Sequence, residues 1–410
     1  MYKLGRVAQV ALICLATGVL VVVAFSSTVS GSMDRPFRIE PEYDRKLEKV
    51  VLSLETSTED LSLHEDILKS LPEYSEVLML VPERRSQDIG RQLEALGLSS
   101  KVRLVPFSSR VVGKEEAYRL YTRNSELRKL SERRLMPRGS VWAQDLFEVA
   151  MATDGTRSII APFIHKWFIK PGTKWGPRLE SDNAFVEALG SWGIEFNKLP
   201  LVFKGGNVLV DEFEGKSIAF AGGDIIRDTR LVLDATIGKK VTEAEVVEWL
   251  RLCLKVDRLV VISRNMSQPE KMFHLDQAMV LFPDGVAGVT RIVDYKKDMA
   301  GGEVDEVRRL LSELRGELRR LGYRIVDIGA TVEDVNNYRY YVNGVPYVNK
   351  KTGRREFLMP LFEISLEGRN GEVYRKNVLA VESLGYRVIP VPTSANERRG
   401  GIHCMVNVIS

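Results

Sequence analysis

The sequence predicts an α/β protein whose body is a closed ring of pseudo-repeated strand–helix–strand units. Two observations carry this expectation. First, a helix that closes on Leu-Gly and leads into a short strand recurs along the chain. It appears at Leu96-Gly97, Leu189-Gly190, Leu321-Gly322 and Leu384-Gly385, and the stretch 246–262 fits the same slot without the glycine. Glycine after a helix is a C-cap signal, because it enters the left-handed region without a Cβ penalty. Second, Gly pairs or polar clusters recur where units open, at 142–145, 204–207, 273–276 and 399–404. A ring would bring these openings to one centre. The repeat is too long and too irregular for a solenoid, and each unit mixes strand with helix.

The elements follow in order. Residues 7–33 carry no charge, and 7–25 are almost wholly apolar, with Lys3 and Arg6 ahead of them. Roughly 20 apolar residues suffice to span a bilayer. The expectation is therefore a transmembrane anchor or signal segment over 1–27, with the body outside the cytoplasm; secretion after cleavage is the alternative. A stalk over 28–46 follows, then a single domain over 47–410. That domain opens with a strand at 49–54, a helix to 71, a strand at 77–81, a helix over 86–96 and a strand at 102–105. The helix before Leu321 places Val304, Val307, Leu310, Leu311, Leu314 and Leu318 on one stripe, the spacing of a helix packed on a core. Two stretches interrupt the pattern. Residues 114–138 are highly charged and read as a solvated helical insertion. Residues 336–357, rich in Tyr, Asn and Gly, read as a long loop or hairpin with a turn at Asn343-Gly344.

Composition excludes several classes. Charged residues make up 28% of the 410, and the formal net charge is +4, too mild a balance to indicate nucleic acid. Cys14, Cys253 and Cys404 lie far apart, so neither a disulfide framework nor a zinc cluster is written here. With four histidines in the chain, each is worth inspecting.

The chemistry-bearing residues gather at the unit openings. Val141-Trp142-Ala143-Gln144-Asp145 follows the charged insertion, and Asp145 suits either a turn cap or a site carboxylate. Phe203-Lys204-Gly205-Gly206-Asn207 precedes a strand. Phe273-His274-Leu275-Asp276 precedes an apolar run, and in a strand positions i and i+2 face the same way, so His274 and Asp276 are expected to line one site. Arg399-Gly400-Gly401-Ile402-His403-Cys404 ends the series. Cys404 is expected on a final packed strand. It reads either as a buried thiol acting as a small hydrophobe or as a nucleophile served by a histidine and carboxylates from elsewhere in the chain.

In this order and at these separations, WAQD, FKGGN, FHLDQ and RRGGIHC resemble the guanidino-group-modifying superfamily, the penteins. These are five-bladed α/β propellers that include arginine, agmatine and protein-arginine deiminases and amidinotransferases. The resemblance covers roughly residues 48–410. It implies that Cys404 attacks a guanidinium carbon, that His274 is the acid/base, and that Asp276 and Asp145 grip the guanidinium. Trp142, Gly205, Asn207 and Gly400 would line the substrate, and no metal or cofactor is implied. Gln144 and Asn407 are similar to positions in protein-arginine deiminases, whereas Arg399 matches a position that holds a substrate carboxylate in arginine deiminases. Lys204 stands where arginine and agmatine deiminases have Glu. The reading is a guanidino-group hydrolase acting on a small-molecule or peptidyl guanidine, anchored to a membrane and free to form a homo-oligomer. An amidinotransferase and a non-catalytic pentein that binds a ligand or partner are the alternatives.

Overall fold

The computed structural model describes residues 11–12, 21–22, 37–54, 60–107, 142–152, 154–162, 188–199, 204–237, 240–264, 268–294, 302–363 and 368–410. Among these residues the body is built from five small mixed sheets. Three of them share one plan: two antiparallel strands form a hairpin, helix crosses over, and a third strand lies parallel to the second. The third unit pairs Val208–Phe213 with Lys216–Gly222 and adds Arg258–Ile262. The fourth uses Met279–Phe282, Val286–Ile292 and Arg324–Ala330, and the fifth Val345–Val348, Arg355–Leu361 and Arg387–Pro392. The second unit has the same core of Glu148–Ala152, Arg157–Pro162 and Phe196–Leu199, with Phe37–Ile39 added along its edge.

The first unit is assembled from both ends of the body. Lys49–Ser53, Glu76–Pro82 and Val102–Phe107 run parallel, and the terminal strand Asn407–Val408 supplies the antiparallel partner, with Asn407 opposite Val51. Buried Arg45 staples this closure by donating to the carbonyls of Val408 (3.1 Å) and Glu40 (3.0 Å).

Local chemistry explains where the helices start and stop. Thr242 caps Glu243–Leu254 through a capping box with Glu245. Gly97, Gly322 and Gly385 take left-handed φ values of 69°, 89° and 84° after their helices, as the Leu-Gly pattern requires. In the second unit the left-handed residue is Gly193, not Gly190, and in the third Lys255 fills the slot with φ 50°. Helix Gly302–Arg320 buries all six residues of its expected stripe. Each such aliphatic side chain contributes roughly 1.5–3 kcal/mol of transfer free energy.

Two expectations change, and two others lie wholly or mostly outside the described residues. Residues 37–46, expected as part of a stalk, belong to the body: Phe37–Ile39 pairs with Glu148–Ala152, and Glu42–Asp44 forms a turn with Tyr43 buried. The hairpin of the fifth unit turns at 349–354, so Asn343-Gly344 lies ahead of its first strand and not between strands. The charged insertion over 114–138 and most of the apolar segment over 1–27 lie outside the described residues. Within that segment Ala11–Leu12 and Val21–Val22 pair as antiparallel strands. Among the described residues no helix is long and apolar enough to cross a membrane.

Candidate active site

Each unit's hairpin begins with a short turn, and these turns converge. Ala143–Leu146, Gly205–Asn207 and Leu275–Gln277 are single 3-10 turns, residue 343 precedes the fifth hairpin, and the helical turn Ile402–Met405 precedes the terminal strand. Two expectations are corrected here. Cys404 sits on the helical turn before the last strand, and Asp276 sits in a 3-10 turn with His274 as its N-cap residue, so neither is on a strand. A turn projects successive side chains in different directions, which lets His274 and Asp276 reach separate partners at one centre.

Cys404 is 4% exposed. Its Sγ lies 3.1 Å from Asp276 Oδ2, and Asn343 Nδ2 donates to it at 3.2 Å. Asn343 also donates to the Asp276 carbonyl at 3.2 Å. Burial, then the negative charge of Asp276, hold the thiol well above its ordinary range. On the other side of Asp276 Oδ2, at 3.0 Å, is His403 Nδ1, whose ring reaches Glu42 Oε2 through Nε2 at 2.7 Å.

Across the site, Asp145 faces two cationic or potentially cationic groups. Lys204 Nζ donates to its Oδ2 at 3.0 Å, and His274 Nδ1 lies 3.6 Å from its Oδ1. Burial lowers the His274 pKa; the nearby carboxylate of Asp145 opposes that and Lys204 adds to it. Among the described residues, His274 Nδ1 and Asp276 Oδ1 are buried without a hydrogen-bond partner. Gly206 explains how the two sides come so close: a Cβ there would stand 2.8 Å from Asp276 Oδ2 and 3.0 Å from His274 Nδ1.

The structure therefore brings Cys404, Asp276, His274, Asp145 and Lys204 together, and it gives the remaining expected residues other tasks. Asn207 is a buried brace between units, exchanging bonds with Gln268 and accepting from the Leu275 amide. Gln144 donates to Glu42 at 3.0 Å, and Asn407 holds the carbonyls of Ala143 and Phe147. Gly205 packs onto the Gln144 carbonyl, and Gly400 lies against the Trp142 ring; a Cβ at either would clash. Arg399, 54% exposed, pairs with Glu270 at 2.9 Å and lies over the Tyr338 ring. Three residues were missed. Glu42 fell in the expected stalk and Asn343 in an expected turn, where nothing local marked them. His403 adjoins Cys404, and that adjacency was the available signal. A small cavity of about 10 Å³ behind the carboxylates is lined by Glu42, Tyr43, Asp276, Gly344, His403 and apolar residues.

No protein-family model matches the sequence, and no curated protein matches it. Solved structures do. Agmatine deiminase of Campylobacter jejuni superposes with a TM-score of 0.56 at 14% identity, covering 92% of this chain and 97% of that one. Agmatine deiminase of Enterococcus faecalis gives 0.57 at 12%, covering 91% and 95%. A protein assigned as an arginine deiminase from Porphyromonas gingivalis gives 0.58 at 15%, covering 91% and 98%. The chain thus has an α/β fold similar to that of pentein deiminases.

Proposed function

We propose that this chain is a guanidino-group hydrolase whose nucleophile is Cys404, with its five units closed as the blades of a propeller around that residue. The observation that carries the reading is the Cys404 thiol on Asp276, faced across the site by Asp145 and His274. A planar guanidinium needs carboxylates on its edges and a nucleophile over its carbon. Asp276 Oδ1 is a buried acceptor awaiting a donor, and Asp145 now holds an ammonium where an N–H fork would lie. Binding a guanidinium there displaces Lys204 from Asp145. It also adds positive charge beside the buried thiol, so substrate itself further promotes ionisation of Cys404.

The sequence of events follows. The thiolate adds to the guanidinium carbon, forming the C–S bond. The C–N bond to one amino group breaks as that nitrogen takes a proton and leaves as ammonia. His274, which burial keeps neutral, relays the proton and then deprotonates the incoming water. Hydroxide adds to the same carbon, the C–S bond breaks, and a ureido product remains. The apolar N-terminal segment keeps a membrane anchor with an extracytoplasmic body within this reading.

The test is ammonia release by the full-length chain in detergent, screened against arginine, agmatine and an arginyl peptide. Turnover of any one supports the proposal, and silence on all three overturns it. The Lys204–Asp145 pair favours a second reading, a non-catalytic pentein that binds a ligand. Saturable guanidine binding without ammonia release would select it.

A further inference from the structure

We propose that His403 is a positioning residue: pinned between Glu42 and Asp276, it places a fixed positive charge beside the Asp276 oxygen that Cys404 contacts and so sets the reactivity of the thiol. This rests on the reading of Cys404 as the nucleophile, though not on the identity of the guanidine.

The geometry determines the protonation of the ring. Both His403 nitrogens face carboxylate oxygens, Nε2 to Glu42 at 2.7 Å and Nδ1 to Asp276 at 3.0 Å. A carboxylate only accepts, so each ring nitrogen must carry a hydrogen, and a ring with two N–H groups is an imidazolium. Glu42 is itself held as an acceptor. Gln144 Nε2 donates to its Oε1 at 3.0 Å, and the buried Arg45 guanidinium stands 3.9 Å away. The ring is 4% exposed, so bulk solvent does not compete for either nitrogen. The balance of burial and charge agrees. Burial alone would lower the His403 pKa, but Glu42 and Asp276 outweigh it and raise it to about 10. Glu42 is correspondingly lowered to about 2, against a desolvation cost that would raise it.

The consequence reaches the thiol through one shared atom. Asp276 Oδ2 meets both His403 Nδ1 and Cys404 Sγ. A thiolate forming 3.1 Å from an unscreened carboxylate would be strongly disfavoured. The imidazolium on the same oxygen offsets that repulsion and fixes which way the carboxylate points. The charged and titratable groups around the pair are Glu42 and Arg45 from the N-terminal turn, Glu148 from the second unit, and Asp276 and Cys404. Burial and Glu42 keep Glu148 well above the ordinary carboxylate range. Asp145, with His274 and Lys204, lies on the far side of the thiol.

The experiment measures alkylation of Cys404 by iodoacetamide against pH in the full chain, with Cys14 and Cys253 replaced by serine. Below its midpoint the rate is proportional to the thiolate fraction, so a rise of one pH unit in the midpoint reads as tenfold slower labelling. His403→Asn, which keeps a donor toward Asp276 but no charge, is expected to slow labelling at least about tenfold at each pH below the midpoint. Glu42→Gln is expected to act in the same direction with a smaller change. A merely structural role would alter thermal stability without displacing the pH profile. Nitrogen NMR of His403 in the wild type needs no variant and is expected to show both nitrogens protonated at pH 7. A neutral ring there, or labelling within threefold of wild type in folded His403→Asn, overturns the proposal. Wild-type Cys404 inert to iodoacetamide up to pH 10 overturns this inference, because the imidazolium would then not suffice to make the thiol reactive. Displaced labelling in the variants, with no ammonia release from any guanidine, leaves the inference standing and removes the hydrolase.

Discussion

The two carboxylates of the candidate site live in different surroundings. Asp276 is 2% exposed and locked: His403 and Cys404 share its Oδ2, and Asn343 ties its backbone to the thiol. Asp145 is also buried, but its cationic partner is Lys204, whose side chain is 27% exposed. A lysine on a flexible stem can swing out to water when another cation takes its place on Asp145, whereas the His403 imidazolium has no route out. One half of the site is preset and the other is exchangeable. Under the proposed function, the difference says where a substrate cation would enter: in place of Lys204 on Asp145, with Asp276 already oriented.

Substitutions can break or sharpen that contrast. The largest effect belongs to the atom both halves serve. Cys404→Ala is expected to abolish ammonia release, a loss of at least about three orders of magnitude, with the thermal midpoint shifted only by the loss of one buried sulfur. Retained turnover would mean that the nucleophile lies elsewhere. Next come the two carboxylates compared with each other. Asp276→Asn and Asp145→Asn are each expected to cost at least about a hundredfold in kcat/KM, since breaking one side of a desolvated charge pair costs roughly 2–5 kcal/mol. Their stabilities should part company. Asp276→Asn strands a buried imidazolium and lowers the melting temperature, while Asp145→Asn lets Lys204 turn to solvent. Equal melting temperatures would erase the distinction between locked and exchangeable halves.

Lys204→Gln tests the exchangeable half from the other direction. Two like charges about 4 Å apart repel by roughly 4 kcal/mol at an effective dielectric near 20, and solvent screening of the exposed lysine reduces this. Removing the ammonium is expected to raise kcat/KM for agmatine about tenfold, read from initial rates. A fall on every guanidine would show that Lys204 assists the chemistry and does not compete with substrate.

The locked half also has a pH signature. His403 has a folded pKa raised from 6.5 to about 10, so its contribution to stability is fully present below pH 6.5 and fades as pH rises through 10. Glu42 is depressed from 4.5 to about 2, so its contribution is present above pH 4.5 and fades as pH falls through 2. The pair is therefore fully stabilising between about pH 4.5 and 6.5. Denaturant melts from pH 6.5 to 9 should show wild type losing stability relative to His403→Asn. Parallel curves would mean that the ring does not titrate as described. The smallest effect concerns Arg399, whose exposed pair with Glu270 is worth about 0–1 kcal/mol. Arg399→Ala should leave the melting temperature nearly unchanged. A KM increase confined to arginine, sparing agmatine, would assign it to a substrate carboxylate.

Much of this was legible from periodicity and punctuation. The stripe from Val304 to Leu318 specifies a buried helix face, and Leu-Gly endings mark where strands resume, because both are short-range consequences of side-chain spacing and of glycine's backbone freedom. Polar residues placed before each hairpin also marked Cys404, His274, Asp276 and Asp145. The failures are of another kind. Asn207 and Gln144 look like site residues beside their neighbours, yet they bond across units to Gln268 and Glu42. Lys204 reads as a misplaced charge until Asp145 is brought within 3.0 Å of it from 59 residues away.

By itself, then, the sequence determined the repeating strand–helix–strand plan and the chain positions of the thiol, the histidine and the two carboxylates, because those follow from patterns a few residues long. Tertiary structure alone decided that Glu42 reaches His403 across 361 residues and that Asn343 reaches Cys404 across 61. It also decided that one Asp276 oxygen is shared by a thiol and a histidine ring. The physical reason is that charge balance in a buried site depends on distances of about 3 Å between groups from different units, and no local pattern encodes which turns will meet.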